Sequence, residues 1–261
     1  MGHFSNALIT GASSGIGAEL ARELSRRGTR VVLVARRADH LEQLAAELRQ
    51  AGGEADVECL DVVDTAAVRE LVGRWDERLD GLDLVVANAG VGRAFSAQKL
   101  TWEHVEPVLM VNVVGAIATL TAALERMRER DRGTLCGISS LAGRGGMPGS
   151  GAYSASKAAL ATFLETLTID LAGSGLRVVD VQPGFVDSEM TDHNDFHMPF
   201  KWDTPKAVRR IVDDLERGRA ICAFPWQLSM PLAITRGLPR TLWRAIARAT
   251  RPAKGSARAR R

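Results

Sequence analysis

Short apolar runs alternate with longer amphipathic segments over most of the chain. Ala7–Thr10, Val31–Ala35, Ala55–Leu60, Leu82–Asn88, Thr134–Ser139 and Arg177–Gln182 are short and mostly rich in Val, Leu or Ile, which predicts strands buried on both faces. Between them, Gly15–Arg27, Asp39–Ala51, Thr65–Arg78, Glu103–Arg130 and Gly151–Ala172 carry the spacing of helices. Thr204–Arg217 and Ile221–Pro225 add one more helix and a seventh strand. Strand, helix and strand in this repetition predict an α/β fold: a doubly wound parallel sheet in a three-layer αβα sandwich, forming a single domain. In such sheets ligands bind outside the carboxyl ends of the strands.

Three stretches break the pattern. Residues 187–203 mix Met, His, Asn, Phe and Trp without a period directly after a strand end, as a lid or substrate loop does. Residues 226–251 interleave Trp226, Leu228, Met230, Leu232, Ile234, Leu238, Leu242, Trp243 and Ile246 with Arg236, Arg240, Arg244 and Arg248. On a helix this makes a cationic stripe beside an apolar one, suited to packing on the cleft or a second subunit, or to a peripheral membrane contact. Residues 252–261 have nothing to bury, which predicts a disordered basic tail. The predicted division is therefore a catalytic unit at 1–225 with its lid at 187–203, an extension at 226–251 and the tail.

The net charge of +3 hides an asymmetry: residues 236–261 hold eight Arg, one Lys and no acid, and removing those nine charges leaves −6 on the rest. An acidic domain with no reading module argues against nucleic acid as a partner. No apolar presequence precedes Ala7 and no apolar run looks long enough to span a bilayer, so a cytoplasmic location is expected. Cys59, Cys136 and Cys222 are odd in number and lack ligand spacing, which suits small core side chains. His193 and His197, with Asp192 and Asp195, have a spacing compatible with a metal, but no metal is expected.

Chemistry gathers at the predicted strand ends. After the first comes Thr10-Gly11-Ala12-Ser13-Ser14-Gly15-Ile16-Gly17, where glycines allow a sharp turn and the free amides of a helix start attract a pyrophosphate. The second strand ends in Arg36-Arg37 with no acid, favouring a 2′-phosphate and hence NADP(H) over NAD(H). Asp61, after the third, is placed either to receive an adenine amino group or to cap the helix beginning at Thr65.

Tyr153 is the only tyrosine, and Lys157 follows one helical turn later on the same face. Lowering a phenol from about 10 toward neutrality requires about 4 kcal/mol. An ammonium about 4 Å away at an effective dielectric near 20 supplies roughly that amount. Ser140 ends the fifth strand, placed to donate to developing negative charge or simply to serve the turn. Asn112, in an apolar helical stretch, would extend a proton path to Lys157 through water or satisfy a backbone carbonyl.

Taken in order, Thr-Gly-x-x-x-Gly-x-Gly at Thr10–Gly17, Asn88-Ala89-Gly90, Asn112, Ser140, Tyr153-x-x-x-Lys157 and Pro183-Gly184 resemble the short-chain dehydrogenase/reductase family from about Asn6 to about Pro225. The resemblance implies a Rossmann-type fold and a catalytic tetrad of Asn112, Ser140, Tyr153 and Lys157. It also implies cofactor contacts from Gly11, Ser13, Ser14, Gly15, Ile16, Gly17, Arg36, Arg37, Asp61, Val62, Asn88, Ala89, Gly90, Tyr153, Lys157, Pro183, Gly184, Val186 and Ser188. Ser188 stands where the family commonly has Thr, which keeps the hydroxyl.

The expected function is hydride transfer between NADP(H) and a moderately apolar ketone or secondary alcohol, with Tyr153 as acid/base, in a homo-oligomer. Phe95, Phe196, Met198, Phe200 and Trp202 suggest the apolar substrate, or serve ordinary packing. The alternative is an NADP-responsive binding protein with vestigial catalysis.

Overall fold

The computed structural model describes residues 3–92, 94–192, 198–235 and 241. Seven strands form the sheet: β1 (Asn6–Thr10), β2 (Arg30–Ala35), β3 (Ala55–Cys59), β4 (Leu84–Ala87), β5 (Gly133–Ile138), β6 (Leu176–Pro183) and β7 (Ile221–Phe224). All pairings are parallel, in the order β3-β2-β1-β4-β5-β6-β7. The order reverses between β1 and β4, which opens the crevice where doubly wound sheets bind ligands.

Successive strand residues point to opposite faces and so divide between two cores. On one side Ile9, Val31, Leu33, Leu84 and Val86 meet helices α1 (Gly15–Arg26), α2 (Ala38–Gln50) and α8 (Thr204–Glu216). On the other, Leu8, Val32, Val34, Val85 and Leu135 meet α3 (Thr65–Arg78), α5 (Ala116–Glu129) and α6 (Gly151–Asp170). Each fully buried Leu contributes about 1.5–3 kcal/mol. The sheet therefore holds the strand ends as a rigid rim.

The long helix expected over Glu103–Arg130 is divided: α4 (Trp102–Leu109), a π-helical turn at Met110–Gly115, and α5. The extra residue of a π turn redirects side chains locally, and such turns concentrate at functional sites. Here it carries Asn112, fully buried, toward the carboxyl ends of the strands. Taken together, Trp102–Glu129 is long and apolar enough to cross a membrane by length and composition (mean hydropathy 1.9), contrary to the expectation that no such run exists. It packs on α3, α6 and β4 as one of the sheet's covering helices, and core helices pass the same test.

One further expectation is corrected. Cys59 is exposed at the end of β3, its thiol donating to the Arg36 carbonyl, whereas Cys136 and Cys222 are buried. Trp202 takes part in packing: it stacks on Phe224 of β7 with centroids 4.9 Å apart. The loop at 187–203 contains the short helix α7 (Glu189–Asp192) and is pinned at its base by a parallel bridge from Val186 to Trp202. His193, Asp195, Phe196 and His197 lie outside the described residues, as do Arg93, the arginines at 236, 240, 244 and 248 and the tail. Helix α9 (Trp226–Thr235) follows β7.

Candidate active site

The turn after β1 is close-packed because its glycines lack side chains. Gly11 has φ +68, and a Cβ there would lie 2.7 Å from the Ala89 Cα. At Gly17 a Cβ would meet the Gly11 carbonyl at 2.3 Å and Asn88 Nδ2 at 2.4 Å. Asn88 fastens this turn to the end of β4, donating from Nδ2 to the Thr10 and Gly11 carbonyls at 2.9 and 3.2 Å. Thr10, with no role foreseen beyond its place in the motif, accepts the Asn88 and Ala89 amides on Oγ1 and donates to the Val86 carbonyl. Its signal was a β-branched hydroxyl residue closing an otherwise apolar strand.

Helix α1 starts at this turn with Ser14 at its N-cap, no side chain capping it and no acid in its first turn. Its leading amides are thus left for an anion, which fits the pyrophosphate of a dinucleotide. Above it, Arg37 donates to Ser13 Oγ at 3.1–3.2 Å and pairs with Glu189 of α7 at 3.1 Å. Arg36 lies 3.5 Å from Asp61, whose other oxygen accepts the Val63 amide. Asp61 is not the cap of α3, since Asp64 holds that place and accepts from the Ala67 amide. The Ser188 Cβ lies 3.4 Å from where a Gly15 side chain would begin, so the loop base closes over the turn.

Ile16 packs partly buried on the first core. Val186 is buried in that core, and Val62 is buried in the other, beneath the π turn at Gly115. Gly184 is crowded by Pro225, and its amide donates to the Phe224 carbonyl at 2.7 Å, which closes the rim at β6 and β7.

Across the crevice, Tyr153 and Lys157 share one face of α6. The Tyr153 phenol lies beside Ser140, which follows β5. Ser140 Oγ accepts the Ala142 amide at 3.1 Å and donates to the Pro183 carbonyl at 3.3 Å. Lys157 is buried, its Nζ donating to the Ile138 carbonyl at 2.7 Å and lying 5.8 Å from the centre of the Tyr153 ring. Gly90 borders the pair: a Cβ there would lie 3.4 Å from Lys157 Nζ and 3.5 Å from Asn112 Oδ1. Gly92, which sequence reasoning missed, would press on the Tyr153 ring at 2.7 Å if it bore a side chain.

The electrostatics differ from the expectation of an acidified phenol. Burial pushes Tyr153 above its ordinary value, and the neighbouring Ser140 opposes the rise. Burial lowers Lys157 to about 8, against the pull of the Asp180 charge. The ammonium is directed at a carbonyl rather than at the phenol oxygen, so desolvation prevails in this state. Asn112 is tied to the backbone at Val91 and to Ser156. Its Nδ2 donates to the Val91 carbonyl at 2.9 Å and to Ser156 Oγ at 3.0 Å, and its Oδ1 accepts the Val91 amide at 2.8 Å.

Comparison with known proteins agrees with this geometry. A profile of the short chain dehydrogenase family matches residues 5–197. A Myxococcus xanthus oxidoreductase, itself of uncharacterised reaction, is 48% identical over 95% of this chain and 98% of its own. A Streptomyces coelicolor protein provisionally named a ketoacyl reductase is 35% identical over 82% and 84% of the two chains. Among solved structures, a single-substitution variant of the actinorhodin polyketide ketoreductase with NADPH superposes with a TM-score of 0.79 at 29% identity, covering 86% of this chain and 97% of that one. An alcohol dehydrogenase of the archaeon Thermococcus sibiricus, complexed with 5-hydroxy-NADP, gives 0.75 at 29%, over 84% and 94%. The chain belongs to the short-chain dehydrogenase/reductase family of NAD(P)-dependent oxidoreductases.

Proposed function

We propose that the enzyme is an NADP(H)-preferring carbonyl reductase or alcohol dehydrogenase acting on a moderately apolar ketone or secondary alcohol. The observation that carries this reading is the gathering of Ser140, Tyr153 and Lys157 at one point of the crevice, bordered by Gly90 and Gly92. Gly11, Ser13, Ser14, Gly15, Ile16 and Gly17 hold the pyrophosphate end of the cofactor, and Arg36 and Arg37 hold the 2′-phosphate. Asp61 and Val62 border the adenine, Asn88, Ala89 and Gly90 the central crevice, and Pro183, Gly184, Val186 and Ser188 the nicotinamide side. When bound, the nicotinamide supplies or accepts the hydride.

The chain's own residues manage the oxygen and its proton. Ser140 donates to the substrate oxygen and fixes it beside Tyr153. In the reductive direction Tyr153 transfers its phenolic proton to that oxygen. A phenol pushed up by burial stays protonated through neutral pH, which suits a proton donor. Lys157 stabilises the phenolate left behind and grips the nicotinamide ribose, while Asn112 fixes the loop at Val91. An apolar ketone fits the similarity to a polyketide ketoreductase and to a protein provisionally named a ketoacyl reductase.

Residues 1–225 form the catalytic unit in this reading, with the lid at 187–203. On α9 the outward side chains Trp226, Met230 and Ile234 are exposed and apolar, and we assign that face to contact with a second subunit. Sedimentation of liposomes with the full chain and with one ending at Pro225 tests the rival, a peripheral membrane contact through 226–251.

Tyr153→Phe is expected to keep cofactor affinity while turnover with a ketone panel falls by at least about a hundredfold. Unchanged turnover would overturn the role of Tyr153, and absence of cofactor consumption by the parent enzyme would favour a binding protein.

A further inference from the structure

A buried polar chain lies behind the Tyr153–Lys157 pair, and the proposed reaction does not use it. Asp180 is on β6, in register with Gly137 of β5, and is only 7% exposed among Val178, Val179 and Val181. Its Oδ1 accepts from Ser139 Oγ and its Oδ2 from Gln182 Nε2 at 2.5 Å. Gln182 Oε1 accepts from Arg144 Nε at 2.7 Å, and Arg144 NH1 reaches the Ser229 carbonyl of α9 at 2.6 Å. A carboxylate in a central strand is costly unless charge and hydrogen bonds compensate it, and another valine would serve the sheet better. Its presence there points to a task.

That task follows from where Ser139 stands in the chain. It is preceded by Ile138, whose carbonyl takes Lys157 Nζ, and followed by Ser140, whose hydroxyl meets Tyr153. We propose that Asp180 is a positioning residue for this pair: through Ser139 it fixes the end of β5 that presents the Ile138 carbonyl to Lys157 Nζ and the Ser140 hydroxyl to the Tyr153 side. The inference rests on the reading of Tyr153 and Lys157 as the proton-transfer pair.

The charges that face one another here support the assignment. The Asp180 charge opposes the fall that burial imposes on Lys157, and Arg144 and Lys157 oppose the rise that burial imposes on Asp180. From β5 the Cys136 thiol is pushed up by burial and by the same carboxylate. From α6 the half-buried Tyr153 is a further titratable neighbour of Lys157. Lys157 is an ammonium below about 8 and an amine above it. Removing the negative charge moves that midpoint down, so the amine forms at lower pH.

The chain has only five lysines, so protein carrying 13C at lysine Cε gives a spectrum in which Lys157 is identified by its loss in Lys157→Met. Asp180→Asn is expected to lower the Lys157 midpoint by about one pH unit, a tenfold loss of proton affinity. The alkaline fall of ketone reduction should move by the same interval, and Asp180→Glu should restore both. Asp180→Ser, which sets no amide against Gln182, repeats the measurement if Asp180→Asn does not fold. A midpoint unmoved in a folded, neutral variant of an active enzyme overturns the proposal. A midpoint that moves in a protein with no ketone turnover sinks the reductase reading and leaves the coupling of Asp180 to Lys157 standing.

Discussion

The turn after β1 and the floor beneath Tyr153 are both close-packed, yet by opposite means. At the turn, closeness comes from side chains that are missing: backbone and amide atoms occupy the space where Gly11 and Gly17 would carry a Cβ. Beneath Tyr153 it comes from polar side chains that are present and paired, with Asn112, Ser139, Asp180, Gln182 and Lys157 all buried and bonded. The first device tolerates no added atom, and the second tolerates no removed one. An added methyl against a backbone oxygen has nowhere to go, whereas a deleted amide leaves its partners unsatisfied.

The largest effect that would break this contrast is steric. Gly17→Ala sets a methyl 2.3 Å from the Gly11 carbonyl, and that oxygen cannot move without opening the turn that Asn88 ties to β4. Cofactor affinity should fall on the order of a hundredfold, about 2.7 kcal/mol. Stability should fall by about 1–3 kcal/mol. Gly146→Ala, with open space around it, should change neither. Fluorescence titration with NADPH and a thermal melt read both quantities, and normal binding by Gly17→Ala would show that the turn is not held by its emptiness.

The two devices also differ in how far they are legible in sequence. Glycine spacing announces the turn because few other residues permit it, and strands buried on both faces announce themselves through runs such as Val31-Val32-Leu33-Val34. The floor is less visible. Asp180 and Gln182 alternate with valine in a strand, and only the register with β5 shows that Asp180 meets Ser139. The π turn at Met110–Gly115 leaves the apolar spacing almost intact, so Glu103–Arg130 looks like one helix. The motif gave the place of Lys157 but not its state, because desolvation depends on everything packed around Nζ. Glu189 is 152 residues from Arg37, and nothing local links them.

Asn112→Ala tests the floor by removal. It deprives the Val91 amide and carbonyl of their partners and Ser156 Oγ of a donor. Unpaired buried groups cost about 1–3 kcal/mol, or a melting point several degrees lower. Turnover should fall roughly tenfold as the loop bearing Gly90 and Gly92 loosens against Tyr153, equivalent to about 1.4 kcal/mol in the barrier. A melting point that drops with turnover intact would separate the floor's stability from its chemistry.

The smallest effect belongs to the rim, where neither device operates. Arg37 is 40% exposed and its pair with Glu189 is open to water, so its deletion should leave the melting point unchanged. Its consequence should appear only with the phosphorylated cofactor, since a guanidinium beside Ser13 has an anion to bind in NADPH and none at the free ribose of NADH. Arg37→Ala is expected to raise KM for NADPH about tenfold, roughly 1.4 kcal/mol, and to leave KM for NADH where it was. Steady-state kinetics with both cofactors measure the ratio. Equal changes for the two would mean that the arginine serves the lid through Glu189, and the basis for preferring NADP(H) would then rest on Arg36 alone.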